Sequence, residues 1–224
     1  MSSTTYGDEP NKRKKNGGIF MKIKPRKEQH NGIAYNYFDS TSDKVCFMFS
    51  GTGYTYEKPL LYYSTALMLE LGYDVVQVCS FDPQQFEQEP EAISEMVYNT
   101  ANPIVNYILS TKSYTEAVYI GKSLGTLAII DFYMQQPSLV PSRYVLLTPL
   151  LALEHIMQNL LEKQTFLAIG TADPHYSKER LEQLSSHELA IVENADHSLE
   201  IATNTVESII ICQSLLTALK AYLQ

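Results

Sequence analysis

Residues Glu116-Ala-Val-Tyr-Ile-Gly-Lys-Ser-Leu-Gly125 run an apolar, β-branched segment straight into a Gly-x-Ser-x-Gly turn, and Thr126 to Gln135 follow with helix-compatible spacing. That order is the signature of a nucleophile elbow, in which the chain reverses sharply from strand to helix. The two glycines flank Ser123 because so tight a reversal leaves no room for neighbouring Cβ atoms and holds the central residue in a strained conformation. Ser123 is therefore expected to project from the turn. Gly-x-Ser-x-Gly alone is met by chance in many chains, so the argument rests on the strand before it, the helix after it and the partners further along.

Those partners sit on a regular alternation. Val45–Phe49, Val75–Cys79, Ala117–Ile120, Tyr144–Leu147, Thr165–Ile169 and Leu189–Val192 are near-continuous apolar runs, as expected of strands covered on both faces. Amphipathic stretches at 59–71, 91–110, 124–136, 151–163, 177–185 and 204–222 separate them. Ile19–Lys24 and Ile33–Phe38 read as two antiparallel strands around a polar turn at Asn31-Gly32. The pattern predicts an α/β chain with a mostly parallel, doubly wound sheet of about eight strands and helices on both faces. Residues 1–18 are polar and carry the run Lys12-Arg-Lys-Lys15, so they are read as a polar tail, with residues 19–224 as a single domain.

In an open parallel sheet, ligands bind beyond the carboxyl ends of the strands. Ser50-Gly-Thr-Gly53, Ser80-Phe-Asp82, Ser123, Thr148, Asp173 and His197 each follow a predicted strand. A serine hydroxyl needs a base to take its proton and a third group to hold that base in the right tautomer. Asp173, in the loop Gly170-Thr-Ala-Asp-Pro174, and His197, in Asn194-Ala-Asp-His-Ser198, supply such groups in the chain order serine, acid, histidine. His175 follows the acid within its own loop, and His187 precedes the last strand at the wrong end of the sheet. His197 is preferred over both on placement. Gly-x-x-Asp-Pro is also a common loop and helix-cap sequence, so Asp173 taken alone stays open between an orienting acid and a capping residue. Asp82 reads as a turn residue and Asp196 as solvated.

The elbow Gly121-Lys-Ser-Leu-Gly125, the Asp173 loop, the Ala195-Asp-His-Ser198 segment and the loop Phe49-Ser-Gly-Thr-Gly53 together resemble the α/β-hydrolase fold superfamily over about residues 19–222. Within it the chain is similar to small, lidless serine hydrolases related to dienelactone hydrolases. The resemblance implies that Ser123, Asp173 and His197 form a catalytic triad, and that backbone N–H groups of Thr52 and Leu124 form an oxyanion hole, with Gly51 or Gly53 as the alternatives to Thr52 and, with Tyr54 and Phe81, as candidate substrate contacts. Ser50 stands where the family usually has His. Tyr54, Tyr56 and Phe81 are placed to line an acyl pocket. Between Leu147 and Phe166 there is one helical stretch, so no large cap domain is expected.

The expected activity is hydrolysis of a carboxylic ester or thioester through an acyl-enzyme. A hydrolase-like protein that binds without turnover, or an acyltransferase using the same triad, is the alternative. The net charge of −8 argues against a nucleic-acid partner. Gly121-Lys-Ser123 mimics the end of a phosphate-binding P-loop, but Glu116 stands where that motif needs its first glycine. Lys122 is instead expected to pack or pair at the surface side of the elbow. The histidines and cysteines lack ligand spacing, so neither a metal nor another cofactor is expected. No stretch approaches the roughly 18 to 20 continuous apolar residues of a membrane span. Cys46, Cys79 and Cys212 read as buried thiols of a reducing, cytoplasmic compartment.

Overall fold

In the computed structural model, which describes residues 23–79 and 89–224, each long apolar run forms a strand. Val45–Phe49, Val75–Val78, Ala117–Ile120, Val145–Leu147 and Phe166–Ile169 are buried, whereas Leu189–Val192, expected to be covered on both faces, lies at the sheet edge with a neighbour on one side only and leaves Ile191 exposed. The strands are β1 (Arg26–His30), β2 (Ile33–Phe38), β3 (Lys44–Phe49), β4 (Asp74–Val78), β5 (Glu116–Lys122), β6 (Ser142–Leu147), β7 (Phe166–Gly170) and β8 (Glu188–Val192). The helices are α1 (Pro59–Glu70), α2 (Pro90–Thr111), α3 (Gly125–Ala128), α4 (Glu154–Leu160), α5 (Lys178–Gln183) and α6 (Thr205–Leu223). The eight strands form one sheet in the order β1-β2-β4-β3-β5-β6-β7-β8, parallel from β4 to β8 and antiparallel at β1 and β2.

Strand periodicity divides the core in two. Val45, Phe47 and Phe49 of β3 face one hydrophobic cluster with Ile93, Ile104 and Leu127, under α2, α3, α4 and α5. Cys46 and Met48 face the other, with Leu61, Met68, Leu215 and Leu219 of α1 and α6. The sheet is thus covered on both sides, which explains why its central strands carry no polar alternation. The chain passes from β3 to β4 on one side and then to β5 on the other. That reversal opens a crevice beyond the carboxyl ends of β3 and β5, where the loops at Ser50 and Ser123 meet. Among the described residues, Thr148–Thr165 with the short α4 link β6 to β7, and no large cap covers this edge.

Four further expectations need correction. The first strand is the polar segment Arg26–His30, whereas Ile23 and Lys24 lie outside any strand and residues 19–22 fall outside the described residues. The cause is the two-residue turn Asn31-Gly32, with φ of 51° and 78°. Pairing starts beside it at His30 and Ile33, so the partner strand is whatever immediately precedes the turn, here an edge strand that tolerates charge. The predicted helix 124–136 is regular only over α3. It continues as a π turn at Ile129–Tyr133, with Met134 N–H donating to Ile129 O at 2.9 Å. The wider turn buries consecutive Ile129 and Ile130 and stacks Tyr133 on Phe49 and Tyr119. Cys46 is buried as expected, but Cys79 is exposed and Cys212 half-buried. Finally, α6 is long and apolar enough to cross a membrane by length and composition. In this fold it lays Ile211, Leu215, Leu219 and Leu223 on the sheet, beside α1.

The opposite, amino-terminal edge of the sheet is tied by Asp74, whose carboxylate is fully buried. Its Oδ2 accepts from Lys112 Nζ at 2.6 Å, Tyr114 Oη at 2.8 Å and Tyr37 Oη at 2.9 Å, and its Oδ1 accepts from the Ser40 and Ser42 N–H groups. Burial alone would raise the carboxyl's pKa, but these donors outweigh it and hold the group below its ordinary value. Asp74→Ala is expected to cost about 3 kcal/mol in a urea titration, because it strands Lys112 and two buried hydroxyls. A loss below about 1 kcal/mol would contradict this role. Since the folded pKa is depressed, the stabilisation is complete above the unfolded value and fades as pH falls through the folded one.

Candidate active site

Ser123 follows directly on β5 with φ of 54°, the left-handed region that non-glycine residues seldom enter. The turn is fixed from both sides: Ser123 N–H donates to Leu147 O at 2.9 Å, and Ser123 O accepts from Thr126 N–H at 2.8 Å and Thr126 Oγ1 at 2.6 Å. Close backbone approach explains its glycines. A Cβ on Gly125 would fall 2.3 Å from Phe49 O, and one on Gly51 would fall 2.8 Å from Lys122 O and 2.9 Å from Ser123 Cβ. The Gly51–Thr52 peptide therefore lies against the serine.

Asp173 follows β7, and its side chain is inaccessible. His175 N–H donates to its Oδ1 at 2.8 Å, and its Oδ2 lies 2.7 Å from His197 Nδ1. Burial would raise the Asp173 pKa, but the bonds from His197 and the His175 backbone outweigh it, so the carboxyl sits below its ordinary value and is ionised. An ionised carboxylate only accepts, so His197 Nδ1 carries the proton and Nε2 is the free acceptor. Nε2 lies 2.7 Å from Ser123 Oγ. Three side chains separated by 50 and 24 positions in sequence thus form one chain of hydrogen bonds, with a proton acceptor facing the hydroxyl.

His197 stands in a loop bent by two left-handed residues, Asn194 with φ of 58° and Leu199 with φ of 61°. Asp196, expected to be solvated, is half-buried, and its Oδ1 accepts from the N–H groups of Ser198 at 2.8 Å and Glu200 at 3.2 Å. It shapes the turn that presents the imidazole.

Thr52 is exposed at the tip of a tight loop in which Gly51 pairs with Tyr54 and Gly53 has φ of 70°. Leu124 begins α3. Among the described residues neither the Thr52 nor the Leu124 N–H donates to a protein acceptor, so both are available to an external oxygen.

Tyr56 is a support for the loop, whereas Tyr54 both lines a cavity with Leu60, Ser198 and Leu199 and contacts Lys122. Tyr56 is buried, and its Oη lies 2.6 Å from Met48 O and 2.9 Å from Val78 O while accepting from Ser50 N–H at 3.2 Å. Together with Ser50 it pins the loop to the ends of β3 and β4. Tyr54 accepts from Leu60 N–H and lays its ring over Lys122. Phe81, with Ser80 and Asp82, lies outside the described residues.

Lys122 departs furthest from expectation. It is 1% exposed, not at the surface, and its Nζ donates to Thr148 Oγ1 at 2.5 Å and His197 O at 2.7 Å. Strand period is the available signal, because Lys122 alternates with Val118 and Ile120, which face the core under α1 and α6.

The remaining histidines have structural partners or neighbours. Buried His187 bridges Thr165 Oγ1 and Leu160 O, His30 stacks on Tyr107, and His155 lies beside Glu91 and Asp131. Asp173, His175 and His197 offer three metal-ligating atoms within 4.8 Å of one another, a grouping that sequence spacing does not reveal. Two of the three already satisfy each other by hydrogen bond, which a cation would have to displace.

No family model matches the chain, and no curated protein matches it in sequence. Solved structures do. A predicted CIB-like hydrolase from Thermoplasma acidophilum superposes with a TM-score of 0.61 at 16% identity, covering 89% of this chain and 98% of that one. An esterase from Pyrococcus furiosus gives 0.62 at 14% identity, covering 90% and 91%. An α/β serine hydrolase homologue from Coxiella burnetii gives 0.60 at 12%, covering 88% and 97%. At such identities the likeness is one of fold.

Proposed function

We propose, from the α/β-hydrolase fold that this chain has, that it is a serine hydrolase cleaving a carboxylic ester or thioester through an acyl-enzyme. One observation carries the reading: Ser123 Oγ lies 2.7 Å from a histidine nitrogen whose other nitrogen is held by a buried carboxylate. Ser123 attacks the acyl carbon while His197 Nε2 takes its proton. Asp173 holds the tautomer that leaves Nε2 free and stabilises the imidazolium that forms. His197 then returns the proton to the departing alkoxide or thiolate; water, deprotonated by the same nitrogen, attacks the acyl carbon, and the Ser123 Oγ–acyl bond breaks as His197 hands that proton back to Oγ, releasing the acid.

The tetrahedral oxyanion is received by the unpaired N–H groups of Thr52 and Leu124, each of a kind whose loss typically costs about 10² to 10³ in rate. That the Pyrococcus furiosus protein is an esterase agrees with this reaction class. An edge without a large cap suits small or surface-presented acyl groups. Three free thiols suit a reducing, cytoplasmic setting.

The test is covalent. A fluorophosphonate probe should label the protein at Ser123, identified by peptide mass spectrometry, and labelling should vanish in Ser123→Ala. Absence of labelling in the parent protein would favour the alternative, a hydrolase-like scaffold that binds without turnover.

A further inference from the structure

We infer that Lys122 is a positioning residue for His197: its buried ammonium ties the His197 carbonyl to the ends of β5 and β6 and so holds the imidazole over Ser123. The inference deepens the reading of this site as a serine hydrolase and rests on it for its catalytic consequence.

The end of one strand and three loops of the sheet's carboxyl edge meet at this nitrogen. Lys122 itself ends β5. Thr148, after β6, accepts through Oγ1 at 2.5 Å and has φ of 49°, itself a left-handed residue. His197, after β8, accepts through its backbone oxygen at 2.7 Å. Tyr54, after β3, places its ring centroid 4.9 Å away and covers the remaining side as a cation–π partner.

A lysine buried this deeply is rare without a paired carboxylate, because its charge is desolvated. Here no carboxylate is in ion-pair contact with Nζ among the described residues. Asp173, Asp196 and Glu200 act on it only through space. Burial pushes the ammonium down to about 8 against those three charges. The fold therefore tolerates an unfavourable cation, and what the cation does is satisfy two oxygens, the buried Thr148 hydroxyl and the half-buried His197 carbonyl.

One of those oxygens belongs to the residue whose ring must aim at Ser123. The His197 loop is otherwise closed on itself by Asp196, with Leu199 N–H donating to Asp196 O and Asp196 N–H to Glu200 O. Besides the ring's own bond to Asp173, its ties to the neighbouring β7 loop are through Ala195 O, which accepts from Ala172 N–H, and Asn194 N–H, which donates to Thr171 Oγ1. The bond from Lys122 fixes the loop at His197 itself, where a shift of about 1 Å is enough to cost roughly 10²-fold in rate.

Lys122→Met keeps the stem and removes the ammonium. With circular dichroism showing the fold retained, the low-field proton NMR signal of His197 Nδ1–H, present in the parent, should broaden or disappear. The rate of fluorophosphonate labelling should drop about 100-fold, and ester turnover should lose kcat with KM changed less than about threefold. Thr148→Val, which leaves the bond to His197 O in place, should keep the NMR signal and lose less than about tenfold. A Lys122→Met protein that keeps the signal and labels within threefold of the parent overturns the inference while leaving the hydrolase reading intact.

The parent protein gives an independent measurement that does not depend on how the variant folds. With lysine Nζ labelled with ¹⁵N and the histidine carbonyl labelled with ¹³C, a scalar coupling across the hydrogen bond should link Lys122 to His197. Its absence overturns the inference. If the parent fails to label with fluorophosphonate, the hydrolase reading falls, and the coupling together with the Nδ1–H signal still decides whether Lys122 holds the ring.

Discussion

Ser123→Ala should abolish turnover of p-nitrophenyl acetate, with a fall in kcat of about 10⁶-fold, the scale seen when the nucleophile of such a constellation is removed. The loss is of chemistry and not of fold. Alanine keeps the Cβ that sits beside Gly51, and the backbone bonds of Ser123 to Leu147 and Thr126 do not involve its hydroxyl. Ser123→Gly separates strain from chemistry. Without a Cβ the residue adopts φ of 54° freely, so this variant should be equally inactive yet more stable than the parent by roughly 1 kcal/mol in urea titration. A Ser123→Ala protein that hydrolyses the ester within tenfold of the parent rate would remove the serine from the mechanism. A Ser123→Gly protein less stable than Ser123→Ala would remove the strain argument.

Much of this arrangement is legible in the residues because a doubly covered parallel sheet leaves few choices. Runs such as Val45–Phe49 and Thr165–Ile169 are apolar at both strand periods, so they identify central strands, and the chemistry-bearing residues follow from where those strands end. That rule also gathers Ser50, Asp82 and Thr148; the elbow glycines, the chain order serine, acid, histidine and the family resemblance single out Ser123, Asp173 and His197, which the structure places in hydrogen-bond contact. Other features depend on tertiary context that local pattern does not carry. Arg26–His30 has no strand composition and is a strand only because Asn31-Gly32 folds it back on β2. The π turn after α3 follows from packing of Ile129, Ile130 and Tyr133. Lys122 misleads by its charge: the general rule for lysine points it to the surface, whereas at the end of β5 strand period is the better guide.

Asp173→Asn should lower kcat by about 10⁴-fold while the protein stays folded, because the change acts on a tautomer. The carboxylate accepts at both oxygens, from His175 N–H at 2.8 Å and, at 2.7 Å, from His197 Nδ1–H. An asparagine retains one acceptor and gains an NH₂ group. If the amide oxygen stays on the His175 N–H, the NH₂ faces Nδ1, and the imidazole moves its proton to Nε2 to avoid two opposed donors. Nε2–H then meets Ser123 Oγ with no lone pair to take the hydroxyl proton. Binding is untouched, so KM should change little and the fluorophosphonate labelling rate should fall in parallel with kcat. The pH dependence of stability gives a second readout. The Asp173 carboxyl is held below its ordinary value by His197 and the His175 backbone against the opposing effect of burial, so the parent gains stability from it above the unfolded value and loses it as pH falls through the folded one. Asp173→Asn should flatten that part of the acid-stability curve. A variant that retains more than about a tenth of parental kcat would show that His197 keeps its working tautomer without the carboxylate, and the assignment of Asp173 would fail.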